Sequence, residues 1–146
     1  MRERAAALPP VLPCACANVR RAARAITQLY DDALRDTGLR ATQFTLLQAL
    51  SLKGELTQGQ LGELLAIDST TLTRTLGSLR SRGWIRSRPG KDRRERHWAL
   101  VPAGHRQLEH ARPSWEGAQQ RIRSKVGRDR LSALFADLAA IVAASS

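Results

Sequence analysis

Residues 68–96 constrain the fold most, because an amphipathic helix is followed there directly by a basic two-stranded ribbon. Asp68 or Ser69 can cap the helix, whose apolar face recurs at helical spacing with Leu72, Leu76 and Leu79. Gly83 is expected to end the helix. Residues 84–88 and 94–100 predict two strands, joined by a turn at Pro89-Gly90. This combination predicts insertion into DNA.

The positive charge of the chain is concentrated in the same region. The 146 residues include 24 Lys or Arg and 13 acidic residues, which gives a formal net charge of +11. Between Ser69 and Trp98, nine basic residues stand against two acidic ones, so +7 of the +11 lies in about a fifth of the chain. We therefore expect double-stranded DNA as the partner, ahead of a membrane or an acidic protein.

The rest of the chain predicts a mainly helical protein in the order α-α-α-α-β-β-α-α. The first helix runs from Cys16 towards Gly38, and Thr42 is expected to cap the second. Thr57 opens a short third helix, which with the fourth has the proportions of a helix-turn-helix. The residues expected to face inward from the second and third helices are Phe44, Leu46, Leu47, Leu50, Leu61, Leu64 and Leu65.

After the ribbon, two further helices complete the chain. Pro102 begins a long helix that Pro113 should kink or divide, and Gly127 separates it from a last helix. The terminal helices carry apolar faces that the central module is too small to cover, so we expect them to pack in a homodimer. The predicted organisation is a flexible arm at 1–13 and one unit at 14–146. Within that unit, 40–101 forms the DNA-binding module, and 14–37 with 102–146 forms the dimerisation helices.

Several other classes of protein find no support in the sequence. There is no apolar run long enough to span a membrane, and the N-terminus has no continuous apolar segment typical of a signal peptide, so we expect a cytoplasmic protein. No catalytic triad, paired catalytic carboxylates or phosphate-binding glycine loop is present, so an enzyme is not predicted. We expect neither a cofactor nor a structural metal.

The order of helix-turn-helix, wing and flanking helices resembles the MarR family of bacterial winged helix-turn-helix regulators over nearly the whole chain. The resemblance is carried by LTQGQLGELLAIDSTTLTRTLGSLRSRGWI at 56–85 and KDRRERHWALVPAG at 91–104. The wing signature Asp-x-Arg stands here as Asp92-Arg93-Arg94, and Val101 replaces a threonine that usually caps the next helix. The resemblance implies an α+β winged helix and a dimeric repressor of a pseudo-palindromic operator.

The resemblance also implies roles for individual residues. Ser69, Thr70, Thr71, Thr73 and Arg74 would face the major groove. Arg94 would enter the minor groove, and Asp92 would pair with Arg74 or Arg94 to hold the wing. The remaining basic side chains would contact the DNA backbone, steer the approach to DNA or remain solvated: Arg80, Arg86, Arg88, Lys91, Arg93 and Arg96. Trp84 and Trp98 are expected to pack rather than stack on bases.

Cys14-Ala15-Cys16 is the clearest candidate for a signal input. Arg20, Arg21 and the start of a helix are surroundings typical of a reactive thiol. The spacing of Cys16 and Tyr30 is similar to that in the organic hydroperoxide regulators of the family, although Arg20 stands in place of a second tyrosine. The alternatives are inert thiols and a site for a soft metal or metalloid. Two thiols without a histidine at ligand spacing are too few for a closed zinc site.

Two further alternatives remain open from the sequence. The signal can be a small ligand, bound in a crevice between the dimer helices and the module and lined by Tyr30, Phe44 and Trp115. The module itself can serve protein–protein assembly with only incidental affinity for nucleic acid. An assembly surface would more often carry an apolar patch in place of the arginines found here.

Overall fold

The computed structural model describes residues 8–145 as a winged helix flanked by long helices. The described residues form six α-helices: α1 (Ala15–Leu34), α2 (Ala41–Lys53), α3 (Gln58–Leu65), α4 (Ser69–Ser81), α5 (Pro102–Val126) and α6 (Arg128–Ala144). They also form three strands and one short 3-10 turn: β1 (Leu56–Thr57), β2 (Ile85–Pro89), β3 (Arg96–Leu100) and Arg35–Thr37. The mainly helical winged-helix class is confirmed. Residues 1–7 of the predicted N-terminal arm lie outside the described residues.

A three-stranded antiparallel sheet forms the wing and its base. The strand order is β1-β3-β2, so β3 lies between the other two. Leu56 of β1 and Ser87 of β2 both pair with Trp98 of β3. The ribbon of β2 and β3 was predicted, whereas the two-residue strand β1 was not. Because β1 immediately precedes α3, this pairing attaches the base of the wing to the helix-turn-helix.

The core lies where α2, α4 and α5 meet the sheet. Phe44 is almost fully buried, and its ring stacks on that of Trp115 with centroids 5.4 Å apart. Phe44 is therefore part of the core and Trp115 packs against it, so these two rings do not line the ligand crevice that the sequence left open as an alternative. Leu61 is buried as expected, but Leu64 is 51% exposed and does not face inward.

The helix ends follow the sequence with two exceptions. Thr57 caps α3 by accepting a hydrogen bond from the backbone of Gln60, as predicted. Thr42, in contrast, lies inside α2, because Asp31 of α1 reaches across to accept a hydrogen bond of 2.7 Å from the backbone N–H of Ala41. The other exception is the division of α5 at Pro113, since α5 runs through this residue as one helix, while the kink offered as the other outcome stays a prediction.

Gly104 joins the wing to α5 at a point where no side chain fits. A Cβ atom built there would lie 2.0 Å from the carbonyl oxygen of Trp84. The same Trp84 oxygen accepts a hydrogen bond from the backbone of Val101. Val101 caps α5 without a side-chain hydrogen bond, as its replacement of threonine predicted. Close contact between two backbones thus replaces the missing hydroxyl in fixing the start of α5.

The last helix leaves most of its apolar side chains exposed. Leu131 is buried against the rest of the chain, but Leu138 is 37% exposed and Phe135 is 56% exposed. The large exposed apolar side chains of α6 are Leu134, Phe135, Leu138, Ile141 and Val142.

Among residues 8–145, no helix is long and apolar enough to cross a membrane.

Candidate nucleic-acid interface

Helix α4 presents a polar face because its leucines fix its rotation. Leu72, Leu76 and Leu79 are all buried, which directs the opposite side to solvent. The side chain of Asp68 caps the helix by accepting a hydrogen bond of 2.9 Å from the backbone of Thr71. The predicted major-groove residues are all exposed: Ser69, Thr70, Thr71, Thr73 and Arg74.

Two contacts hold α4 against α3. A Cβ atom at Gly62 of α3 would lie 3.6 Å from the side chain of Leu72, an ordinary van der Waals contact, so the two helices pack directly against each other there. The side chain of Gln58 donates a hydrogen bond of 2.9 Å to the hydroxyl of Thr73. Sequence reasoning missed Gln58, because no pattern along the chain shows that the first turn of α3 lies beside the middle of α4.

The turn at the tip of the wing is organised by Asp92 through the backbone. Its carboxylate accepts a hydrogen bond of 3.1 Å from the backbone N–H of Arg94, and its carbonyl accepts one of 3.0 Å from the backbone of Glu95. Within the part of the chain that the structure describes, Asp92 forms no ion pair with Arg74 or Arg94. Asp92 does shape the wing, but the predicted pairing with an arginine side chain is wrong, because the carboxylate serves the turn itself.

The basic residues fall into a free group and a tied group. Arg74, Lys91, Arg93 and Arg94 are exposed, and their side chains have no hydrogen-bond or ion-pair partner among residues 8–145. At the base of the wing, by contrast, Arg88 forms an ion pair with Glu55. This partner holds the pKa of Glu55 below its usual range, mainly through the hydrogen bond from Arg88.

Two predicted DNA contacts, Arg80 and Arg96, also have internal partners. The guanidinium of Arg96 donates a hydrogen bond of 2.8 Å to the hydroxyl of Ser87 on the neighbouring strand. Arg80 lies 6.0 Å from the centre of the Trp98 ring, at the outer limit of a cation–π contact. Trp98 is 5% exposed, which confirms that it packs in the core.

The two cysteines lie together at the start of α1. Cys14 is the residue before the helix and Cys16 is in its first turn, and both are exposed free thiols. Asn18 organises this end by donating a hydrogen bond of 2.9 Å to the carbonyl of Cys14. The thiols line a groove of about 700 Å³ with Leu12, Arg20, Arg21 and Arg24.

Cys16 and Tyr30 do not meet within one chain. Both lie on α1, and a helix rises about 1.5 Å per residue, so their backbones are roughly 21 Å apart. Burial raises the pKa of Tyr30, while the charge of Arg123 acts to lower it. Any contact between the thiol and this tyrosine therefore requires a second copy of the chain.

In the described residues, no group of three His, Cys, Asp or Glu side chains could hold a metal ion.

Comparison with known proteins decides the family. The family model described as MarR family matches residues 37–95. The chain is 38% identical to the M. tuberculosis transcriptional regulator MosR, which was solved in complex with DNA, and the match covers 90% of this chain and 98% of that one with a TM-score of 0.79. The chain belongs to the MarR family.

Two further relatives of this MarR-family chain extend the comparison. It is 30% identical over 91 residues to the HTH-type transcriptional regulator YwoH of Bacillus subtilis (strain 168), covering 62% of this chain and 66% of YwoH, just under two thirds. Wild-type MarR from E. coli, in its apo form, is 21% identical with a TM-score of 0.71 and coverage of 90% and 98%, which shows the fold alone. The protein is a DNA-binding transcriptional regulator.

Proposed function

We propose that this regulator is a homodimeric repressor that binds a pseudo-palindromic operator and releases it when a signal reaches the dimer helices. The observation that carries the proposal is the separation of two exposed surfaces. The polar face of α4 and the unpaired cations of the wing tip suit DNA, whereas the apolar face of α6 suits a second protein chain.

The dimer follows from the exposed apolar side chains of α6. Removing the five large apolar side chains from water is favourable, and this requires another surface that covers them. A second copy of the chain offers an identical, self-complementary face. A two-fold dimer of this kind would present two α4 helices to successive major grooves, about 34 Å apart. That spacing would select operators whose half-sites are related by a two-fold axis.

The proposed contacts divide between base reading and positioning. Arg74 would read guanine from the major groove, with Ser69, Thr70, Thr71 and Thr73 beside it on base edges or phosphates. Arg94 would enter the minor groove, where Asp92 fixes the turn that carries it. The other cations would contact phosphates: Lys91 and Arg93 from the tip, and Arg80 and Arg96 through the donors that their internal contacts leave unused.

The proposed signal is oxidation of the thiols at the head of α1. The thiolate of Cys16 would attack the O–O bond of a hydroperoxide and become a sulfenic acid while the alcohol leaves, and a second thiol would then form a disulfide and release water. Exposure of both thiols and the adjacent arginines favour this chemistry. A small organic ligand is the other candidate signal, and the groove of about 570 Å³ between α1 and α5 could hold it.

A genomic footprint with and without peroxide tests the proposal, using the parent, Cys16→Ser and Cys14→Ser. We expect footprints on two-fold symmetric sites that peroxide removes in the parent but not in Cys16→Ser. Release from Cys16→Ser by peroxide would exclude oxidation of Cys16 as the signal, and footprints on single asymmetric sites would exclude the two-fold operator. Peroxide-resistant footprints in the parent would leave a ligand as the signal.

The alternative is that the winged module mainly assembles with another protein. The arginine-rich ribbon disfavours it, and a salt titration separates the two functions. A DNA-binding regulator with several phosphate contacts should lose affinity by orders of magnitude between about 50 and 200 mM salt, and it should prefer its operator over random duplex. A shallow salt dependence without sequence preference would favour the assembly function.

A further inference from the structure

Arg82 follows the last residue of α4 and is turned back towards the first helices. Its Nη1 donates a hydrogen bond of 2.6 Å to the carbonyl oxygen of Gly38, which is 44 positions earlier in the chain. The guanidinium carbon also lies 5.0 Å from the centre of the Trp84 ring. A stacked guanidinium has one face covered and its orientation restricted, so this hydrogen bond is held in place.

Gly38 belongs to the connector between α1 and α2, residues 35–40. Its φ of +75° is in the left-handed region that glycine adopts readily, and this conformation turns the chain from the 3-10 turn into α2. The carbonyl of the preceding residue, Thr37, accepts a hydrogen bond of 2.6 Å from the side chain of Gln107 on α5. Two successive carbonyls of the connector are therefore held by α4 on one side and by α5 on the other.

We infer that Arg82 is a positioning residue, which sets the orientation of α4 relative to α1 and α5. The inference rests on the proposed dimer, because α1 and α5 are then the frame that relates the two copies of α4. An altered angle at this joint would change the separation of the two recognition helices and leave each helix intact. Arg82 should thus matter for binding two half-sites together and little for binding one.

The test compares Arg82→Gln with the parent on three duplexes: the full operator, an operator with one half-site scrambled, and an operator with one base pair inserted between the half-sites. Glutamine is too short to reach Gly38 and removes one charge. Arg106→Gln is the matched control, because Arg106 is exposed on α5 and its side chain has no hydrogen bond or ion pair among the residues described. Arg82→Lys keeps a donor for Gly38 but loses the planar stack.

We expect Arg82→Gln to bind the full operator about tenfold more weakly, in the range of mutations at coupling positions. Its affinity for the half-scrambled duplex and its melting temperature should stay close to those of the parent. It should also discriminate less against the inserted base pair, and Arg82→Lys should recover part of the lost affinity. Arg106→Gln should bind all three duplexes like the parent.

Two results would overturn the inference. If Arg82→Gln weakened both the full and the half-scrambled duplex equally and reduced the salt slope by about one, Arg82 would be a phosphate contact. If it bound all three duplexes like the parent, the link to Gly38 would have no effect on binding.

Amide hydrogen exchange tests the joint independently of dimerisation. Loss of the anchor should speed exchange at residues 82–84, whose backbone N–H groups bond to the end of α4, more than at the start of α4. Unchanged exchange there would contradict the inference. Sedimentation of the parent keeps the two proposals distinct, since a monomer would refute the proposed dimer while exchange still decides the role of Arg82.

Discussion

The winged module and helix α6 leave different kinds of surface open to solvent. On α4 of the module, every large apolar side chain is buried, and the exposed side chains carry hydroxyl and guanidinium groups. In α6, only Leu131 is buried, and what remains exposed is a row of aliphatic and aromatic side chains. The apolar face of α4 is therefore covered within the chain, whereas most of the apolar face of α6 is left uncovered. The difference matches the two partners that we propose, DNA for the module and a second copy of the chain for α6.

The packing of the module against α5 can be broken at Gly104. In Gly104→Ala the new methyl group would collide with the backbone oxygen of Trp84, which a side-chain rotation cannot relieve, so we expect destabilisation of about 3 kcal/mol or more. Urea denaturation measures it. Gly117→Ala is the control, because Gly117 is also on α5 but has nothing within 4 Å of the new atom. Gly117→Ala should be as stable as the parent or up to about 1 kcal/mol more stable, because alanine favours a helix over glycine. A Gly104→Ala variant that behaved like Gly117→Ala would show that the contact with Trp84 is relieved without cost.

The dependence of α6 on a partner can be broken with Leu138→Glu. A carboxylate buried in the proposed dimer contact would disfavour association, so we expect monomers and about 100-fold weaker operator binding. Sedimentation and gel shifts measure the two effects. Ala136→Glu adds the same charge on the far side of α6 and should leave both unchanged. Dimers of normal affinity in Leu138→Glu would place the two-fold contact elsewhere.

Two substitutions on the polar surface of the module test base reading by α4 separately from recognition of groove shape by the wing. Arg74→Ala should bind the operator about tenfold more weakly and lose base preference, because the proposed bidentate guanine contact is removed. Arg94→Ala should have a smaller effect that is confined to operators with A·T-rich flanks. Gel shifts on matched operators measure both, with Arg106→Gln as the charge control. Binding like that of the parent in both variants would contradict the proposed docking.

The smallest effect is expected at the cap of α4. Hydrogen bonds from Thr71, first from its side chain and then from its backbone, hold the pKa of Asp68 below its usual value. The stabilisation is therefore present above the unfolded-state pKa and is lost as pH falls through the lower folded-state pKa, below about pH 4. Asp68→Asn keeps a capping oxygen but cannot titrate. Its melting temperature should fall less steeply with acid than that of the parent, and parallel curves would contradict this assignment.

Local signals predicted most of the fold. The leucine spacing of α4, the cap at Thr57 and the breaks at Gly83 and Gly127 each depend on residues close in sequence, and all are confirmed. The class of protein followed from the order of these elements and from the clustered charge. Strand β1 was missed because two residues are too few to show the alternation of apolar and polar residues that is typical of a strand. Its pairing with Trp98 is also a long-range contact, which local sequence does not show.

The details of the site depended on contacts that cross the chain. Asp31 displaced the expected cap at Thr42, and Glu55 tied Arg88 to the base of the wing. Asp92 was identified as the residue that shapes the wing, but its partner was wrong because a turn of the backbone competes with an arginine for the same carboxylate. The clustering of Lys and Arg along the sequence located the basic surface. The hydrogen bonds and ion pairs of the structure were needed to separate the free cations from those with internal partners.

The proposed DNA contacts of the free cations on α4 and at the wing tip would also affect how the protein searches a genome. Arg74 on α4 and the wing-tip cations Lys91, Arg93 and Arg94 have no internal partner among residues 8–145, so in the proposed complex they would exchange one phosphate for the next at little cost. Such a surface favours sliding and hopping along any duplex before the operator is reached. Occupancy of the operator in a cell is then set by the ratio of specific to non-specific affinity multiplied by the number of competing sites, and not by the dissociation constant alone.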